Sequence, residues 1–419
     1  MQAVNIMMRA GTADITPREP CPLFGRVGRA GNASEQVSAL EASCLMMETE
    51  QGFAAIITID SLYPSQKLED AVRKSCAQGG LQFEQGALIF VASHTHNAPA
   101  LDPTKPKLGE VSEDYCDLAA GQIADCILAM RNEQGWSASL KFGSSQCRAS
   151  IFRRKRLIGF DMLNMGFRKK VIMAPNRAVP IDQTMKIALI EDRDRSPRAL
   201  IWSWPCHAVS EPQALSVSAD FPGVARDHIR KRLGAPDLPV FYFPGFSGDI
   251  RPASSSPIPL HKSGSWLGFG SRFGKNSATA ADSLQKQVNT AVDKALMQAH
   301  DAGSLDGSQV HRTRKTLNMR EIRSQSNGLA PLTCDSWSIG PLAIKAVSSE
   351  IANGYSQGAG NEDPMTFVTG CAGQVMGYIP MDQQIAEGGY EAGGFAQSFS
   401  VAGEFHPHIE AQIAQLIGQ

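Results

Sequence analysis

The chain has 419 residues, 42% of them hydrophobic and 19% charged, and a formal net charge of −1. That composition is globular, with ample core material, and its near-neutrality supplies no field to gather nucleic acid or a membrane surface. No apolar stretch approaches the roughly 20 residues of a spanning helix. Nine cysteines without a CxxC pair argue against a disulfide framework or a zinc knuckle.

In chain order, Met1 to Arg9 has no charged segment followed by an apolar one. No secretory signal is expected, and reduced thiols in a cytoplasmic protein are. Ala54–Ile59 predicts a buried strand ending in Asp60-Ser61. Ala87–Ala92 predicts another, ending in His94-Thr95-His96 before the loop signal Asn97-Ala98-Pro99. Two histidines at i, i+2 on extended backbone share one side. At a strand end they are placed to bind a transition metal or move protons; the alternative is two polar residues of a surface loop. Ser112 to Arg131 predicts a helix, with Ser112 as N-cap and Glu113 and Asp114 in its first turn.

Arg153-Arg154-Lys155-Arg156, with Arg168-Lys169-Lys170 after it, predicts either a solvated face or contact with an anionic part of a substrate. Aromatic interleaving for single-stranded nucleic acid is absent. The strand-like run Ala199–Trp204 ends in Pro205-Cys206-His207, where Cys206 reads as a buried thiol, since a nucleophile would need a base and a lowered pKa. Pro222 to Leu233 predicts a helix closed by Gly234. Leu238–Phe243 predicts a strand leading through Pro244 to Asp249. Ala253 to Lys275 is irregular and Ser/Gly-rich, with Trp266 and Phe269, and reads as a surface loop or a lid. Ser277 to His300 and His406 to Ile417 predict two more helices. The alternation predicts an α/β fold, a mixed β-sheet core with flanking helices. Four apolar runs thus deliver Asp60, His94, His207 and Asp249 at their carboxyl ends, the rim where such sheets build sites.

Gly11-Thr12-Ala13-Asp14-Ile15-Thr16-Pro17, Ser93-His94-Thr95-His96-Asn97, Trp204-Pro205-Cys206-His207 and Gly248-Asp249-Ile250-Arg251-Pro252 stand in an order and spacing that resembles the neutral (non-lysosomal) ceramidase family. Gly377-Tyr378-Ile379-Pro380 and Glu387-Gly388-Gly389-Tyr390-Glu391 extend the resemblance to near residue 400. It implies a zinc hydrolase that cleaves an amide, with Zn2+ held by His94, His207, Glu350 and Tyr378. Glu350 follows the strand-like Leu342–Val347 but lacks the family's preceding Pro-Gly. Such a set makes sense as chemistry: two imidazoles and a carboxylate leave room for a zinc-activated water. His96 would stabilise an oxyanion or shuttle a proton, and Asp249 would orient a ligand histidine.

One departure bears on the substrate. The family's active-site serine position is Arg251 here. Arginine is permanently protonated and cannot be the nucleophile, but it can grip a carboxylate or phosphate. The expectation is therefore a cytoplasmic, single-domain amidohydrolase spanning 1–419, without the family's C-terminal immunoglobulin-like domain. It acts on a small N-acyl compound that is anionic rather than ceramide, with Arg251, Arg153 and Arg154 as substrate-binding residues. It needs no nucleic acid and has no transmembrane segment; its oligomeric state is left open. The rivals are a metal-dependent esterase, a phosphoesterase with a second metal on Asp60 and Asp249, and a catalytically silent member of the fold that binds a small ligand.

Overall fold

The computed structural model describes residues 6–50, 52–161, 165–253, 257–259, 266–267 and 271–418. Three sheets make its centre. The first runs Met7–Asp14, Glu41–Thr49, Gly52–Ile59, Leu88–Ala92. The second runs Val240–Phe243, Pro197–Ser203, Thr184–Glu191, Ser139–Gln146, His300–Ser304. The third runs Val310–Leu317, Leu332–Ile339, Leu342–Val347, Thr366–Thr369.

Strand alternation decides the layering. In the first sheet Leu45, Met47, Ile56 and Ile89 face a core shared with Ile201, Phe241 and Phe243 of the second sheet and Trp337, Ile344 and Phe367 of the third. The other face, with Cys44, Met46, Ile57 and Phe90, packs on the helices Gln66–Gln78 and Glu113–Asn132 through Leu68, Val72, Ile123 and Ile127. The second sheet is covered by Asp220–Leu233 and Ala278–Met297 through Ile229, Leu284 and Val288. Apolar side chains on both faces of the central strands explain why those strands read as continuous apolar runs. The α/β expectation is met.

Each sheet carries one parallel pair: Ile57 lies opposite Phe90, Ile201 opposite Phe241, and Ile344 opposite Phe367. Parallel strands point their carboxyl ends the same way, so each pair delivers two loops to one rim. A long hairpin, Ser150–Asp161 with Gly166–Asn176, borders that rim, and Ile250–Pro252 joins it with Arg251 opposite Ile151.

The helix at 113–132 has Ser112 as its cap, accepting from the Tyr115 amide, and the helix at 220–233 ends on left-handed Gly234. Two helix boundaries differ by three residues or more. The helix from Ser277 stops at Met297, because His300–Ser304 pairs as an edge strand with Ser139–Gln146. The terminal helix begins at Glu410 rather than His406, since Pro407 and left-handed His408 (φ 63°) keep that segment from winding. The stretch expected as an irregular loop at 253–275 lies partly outside the described residues. Its described parts form short strands, Pro257–Pro259 with Ser271–Phe273 and Trp266–Leu267 against the hairpin. All nine cysteines are free, and among the described residues no helix is long and apolar enough to cross a membrane.

Candidate functional site

The parallel-pair rim gathers three imidazoles. His94 follows Leu88–Ala92, His207 follows Pro197–Ser203, and one nitrogen from each of His94, His96 and His207 lies within 4.8 Å of the others. Their ring centroids are 4.5 to 6.1 Å apart. The convergence of His94 and His96 does not come from a strand pleat, as the sequence suggested. The strand ends at Ala92, and His94 sits in the left-handed region at φ 63°. For a non-glycine residue that costs roughly 1–3 kcal/mol and marks sites where geometry outweighs local stability.

Each ring is pinned at Nδ1 by a backbone carbonyl: His94 by Leu62 at 3.1 Å, His96 by Gly25 at 2.8 Å, His207 by Ser247 at 2.9 Å. A carbonyl only accepts, so each Nδ1 carries a proton and each Nε2 faces inward; against the effect of burial, Cys371 and Glu350 hold His94 well above its usual value, so its Nε2 also carries a proton until a cation takes that place. Two glycines make this possible. A Cβ on Gly25 (φ 96°) would stand 2.8 Å from His96 Nδ1, and one on Gly248 would stand 2.5 Å from the Glu350 carbonyl oxygen.

Glu350 completes the cluster. It is 3% exposed, and its Oε2 lies 3.3 Å from His94 Nε2 and 3.0 Å from His207 Nε2. It reaches there because Glu350–Ile351 pairs in parallel with Tyr378–Ile379, the Glu350 amide donating to the Gly377 carbonyl at 2.8 Å. The Tyr63 hydroxyl donates to its Oε1, and burial with the nearby Glu350 carboxylate pushes the Tyr378 hydroxyl well up. Burial opposes ionisation of Glu350, but His94 and His207 outweigh it and hold the carboxyl well below its usual range. His207 is pushed down to about 3 by burial and by Arg153, and burial with its two neighbouring imidazoles holds His96 far below the usual value. Both are neutral rings, the form that binds a metal.

The donor set fits a cation. His94 Nε2, His96 Nε2 and Glu350 Oε2 are buried without a hydrogen-bond partner, an expensive state unless something with positive charge satisfies them together. Imidazole nitrogen with carboxylate oxygen is the ligand chemistry of zinc and its transition-metal neighbours.

Arg153 and Arg154 correct the solvated-face reading. They are 4% and 2% exposed, and both are held by Glu391, Arg153 Nε at 2.7 Å and Arg154 Nη1 at 2.6 Å. Arg154 turns away to the Gly388 carbonyl at 2.8 Å. Arg153 stays at the cluster: its Nη1 donates to His207 Nε2 at 3.0 Å, and its guanidinium lies over the rings of Tyr378 and Tyr390 at 5.4 and 6.0 Å.

Asp249 is not where its expected role needs it. Ser247 orients His207 instead, while the Asp249 carboxylate accepts from the Asn353 amide at 2.9 Å and Gln384 Nε2 at 2.6 Å. Asp60 is taken by Arg226 Nη1 at 2.6 Å and the Glu41 amide at 3.0 Å. The described residues therefore give no second metal cluster of Asp60 with Asp249. Cys206 is fully buried, and burial pushes its thiol well up. Arg251 is half-buried, its guanidinium 4.8 Å from the Phe273 ring centroid. Sequence reasoning missed Tyr63 and the clamp made by Glu391; Tyr63 lies two residues beyond Asp60-Ser61, on the same strand-end loop.

An α/β fold with a cation-ready imidazole–carboxylate rim is the class this geometry defines. Neutral ceramidase from Pseudomonas aeruginosa superposes on 99% of this chain and 73% of its own, with a TM-score of 0.70 and 14% identity. A ceramidase complexed with C2 superposes on 99% and 74%, again with a TM-score of 0.70 and 14% identity. The chain has a neutral-ceramidase-like fold. No protein-family model and no curated protein matches the sequence.

Proposed function

We propose that the protein is a zinc-dependent hydrolase that cleaves the amide of an anionic N-acyl compound other than ceramide. One observation carries this: three pinned imidazoles and the Glu350 carboxylate converge on one point, where His94 Nε2, His96 Nε2 and Glu350 Oε2 are buried without a partner, on a neutral-ceramidase-like fold. His94, His207 and Glu350 would hold the ion, with the Tyr378 hydroxyl beside Glu350 completing the set. Bound there, zinc supplies Lewis acidity, which polarises a carbonyl and makes water more acidic.

The chain's own residues do the rest. His96 is the most exposed of the three imidazoles, and its Nε2 is left to face the reacting groups beside the ion; held far below its usual value, it would pass a proton on to a leaving amine rather than store it. Tyr378, whose ring lies under the Arg153 guanidinium, supports negative charge on the substrate's carbonyl oxygen. Tyr63 fixes Glu350 through Oε1. Arg251 replaces a nucleophile with a fixed cation; facing a neutral lipid head it would stay unpaired, which is costly.

Metal analysis combined with a panel of N-acyl amides and esters tests the reading. A single zinc with turnover of acyl amides supports it. Two metals with phosphoester turnover favour a phosphoesterase, turnover of esters alone an esterase, and binding without metal or turnover a silent member of the fold. Efficient hydrolysis of ceramide would overturn the substrate assignment.

A further inference from the structure

We infer that Arg26, Arg29 and Arg251 form one anion clamp beside the histidine cluster, and that the substrate's amine part carries two negative charges. The inference rests on the amide-hydrolase reading for what is bound, though the clamp itself is testable without it.

Arg26 and Arg29 stand in Gly25-Arg26-Val27-Gly28-Arg29-Ala30-Gly31, where the three glycines take φ of 96°, 77° and 91°. The segment is tied to the site, because the Gly25 carbonyl is the acceptor that pins His96. Arg26 follows that carbonyl directly, and its Nη2 reaches Asn97 Oδ1, one residue past His96, at 3.4 Å. Arg251 arrives from a different element, paired opposite Ile151 two residues before Arg153. The charges of Arg153 and Arg26 both reach it.

None of the three arginines has a carboxylate ion-pair partner among the described residues. Arg29 Nε and Nη2 are buried without a partner, and its Nη1 reaches only the Phe24 carbonyl, at 3.5 Å. Asp220 and Glu211 are near enough for Arg26 to feel them. The Asp220 oxygens already accept from the Ser210, Glu211 and Phe221 amides and the Ser210 hydroxyl, and Glu211 Oε1 from the Gln213 amide. Burial, with the charge of Arg26 on Arg29 and the charges of Arg153 and Arg26 on Arg251, pushes each down to about 10, still charged at neutral pH.

Half-buried cations kept together with no carboxylate in ion-pair contact are costly unless a ligand supplies that contact. One carboxylate would neutralise one guanidinium and leave the next repelled. A phosphate, or two carboxylates, can bridge more than one of the three guanidiniums and matches their planar forks bidentately. A neutral amine part would use none of this.

Two arms test it. In the first, metal-free protein is titrated with inorganic phosphate, succinate and acetate, read by thermal shift against chloride at equal ionic strength. Phosphate or succinate should stabilise the wild type, and acetate much less. Arg26→Gln and Arg251→Gln should each weaken the effect about tenfold to a hundredfold, and Arg→Lys should recover part of it. In the second, the metal-loaded enzyme is given N-acylglutamate, N-acyl phosphoethanolamine, N-acylglycine and a neutral N-acyl ethanolamine. One of the two dianions should lead in kcat/KM, and which one leads separates dicarboxylate from phosphate. No anion binding, or equal binding by Arg251→Gln, overturns the clamp whatever the hydrolysis shows. Anion binding without turnover of any N-acyl compound overturns the function reading and leaves the clamp standing. Faster turnover of the neutral or singly charged amide overturns the two-charge assignment.

Discussion

Replacing Glu391 by glutamine should destabilise the protein more than any comparable change of one oxygen to nitrogen on its surface. Glu391 holds two guanidiniums, Arg153 Nε at 2.7 Å and Arg154 Nη1 at 2.6 Å, and the side chains are 3%, 5% and 2% exposed in the order Glu391, Arg153, Arg154. Glutamine keeps the volume and one acceptor oxygen, so the change removes charge rather than packing. Breaking a buried pair from one side leaves the partner unpaired and costs about 3–5 kcal/mol. Whole-domain stabilities are only about 5–15 kcal/mol. For a chain of 419 residues that cost corresponds to a Tm lowered by about 3–6 °C. Burial opposes ionisation of Glu391, yet Arg153 and Arg154 hold its carboxyl below the usual value. A depressed carboxyl contributes stability above its unfolded pKa, about 4.3, and loses it as pH falls through the folded value. Wild type and variant should therefore differ most near pH 7 and converge in acid. Denaturant unfolding across that range is the assay. A difference under about 1 kcal/mol at pH 7, or a gap that widens towards acid, would refute the reasoning.

Three further outcomes follow from particular contacts. Gly25→Ala should cost zinc affinity and stability together, because the new Cβ meets His96 Nδ1 at 2.8 Å on backbone at φ 96°; metal retention with an unchanged melt would contradict this. Burial pushes the Cys21, Cys76, Cys116 and Cys147 thiols up to about 11, so alkylation of native protein at pH 8 should be far slower than in denaturant. Because folding keeps those protons on, stability should fall between about pH 9 and 11, checked by melts at stepped pH. Cys126, partly exposed and lowered by the neighbouring Cys44 thiol, should be the first thiol alkylated, as mapped by mass spectrometry.

The parts of the fold legible in the sequence were those set by local pattern. Ala54–Ile59 and Ala87–Ala92 carry apolar side chains for two cores at once, so they show as unbroken runs, and Ser112 and Gly234 mark helix ends by side-chain and backbone chemistry alone. The neutral-ceramidase resemblance, drawn from short motifs, agrees with the fold. What pairing and distance decide was not legible. Arg153 and Arg154 look like a solvated run until Glu391, more than two hundred residues away, closes on them. Asp249 looks like a carboxylate for a histidine until the Ser247 carbonyl does that work and Asn353 and Gln384 take the carboxylate. The left-handed turn at His94 left no trace, since no glycine or asparagine announces it. Arg26 gave little signal because its relation to His96 runs through the Gly25 carbonyl.

The central claim is tested most directly by elemental analysis of protein purified without chelators, alongside His94→Ala, His207→Ala, Glu350→Ala and Arg251→Ala, each shown to be folded. A single zinc per chain is expected in the wild type and in Arg251→Ala, with loss in the other three. Full zinc occupancy in a folded His94→Ala or His207→Ala, or a wild type that neither carries zinc nor takes it up, would contradict the account.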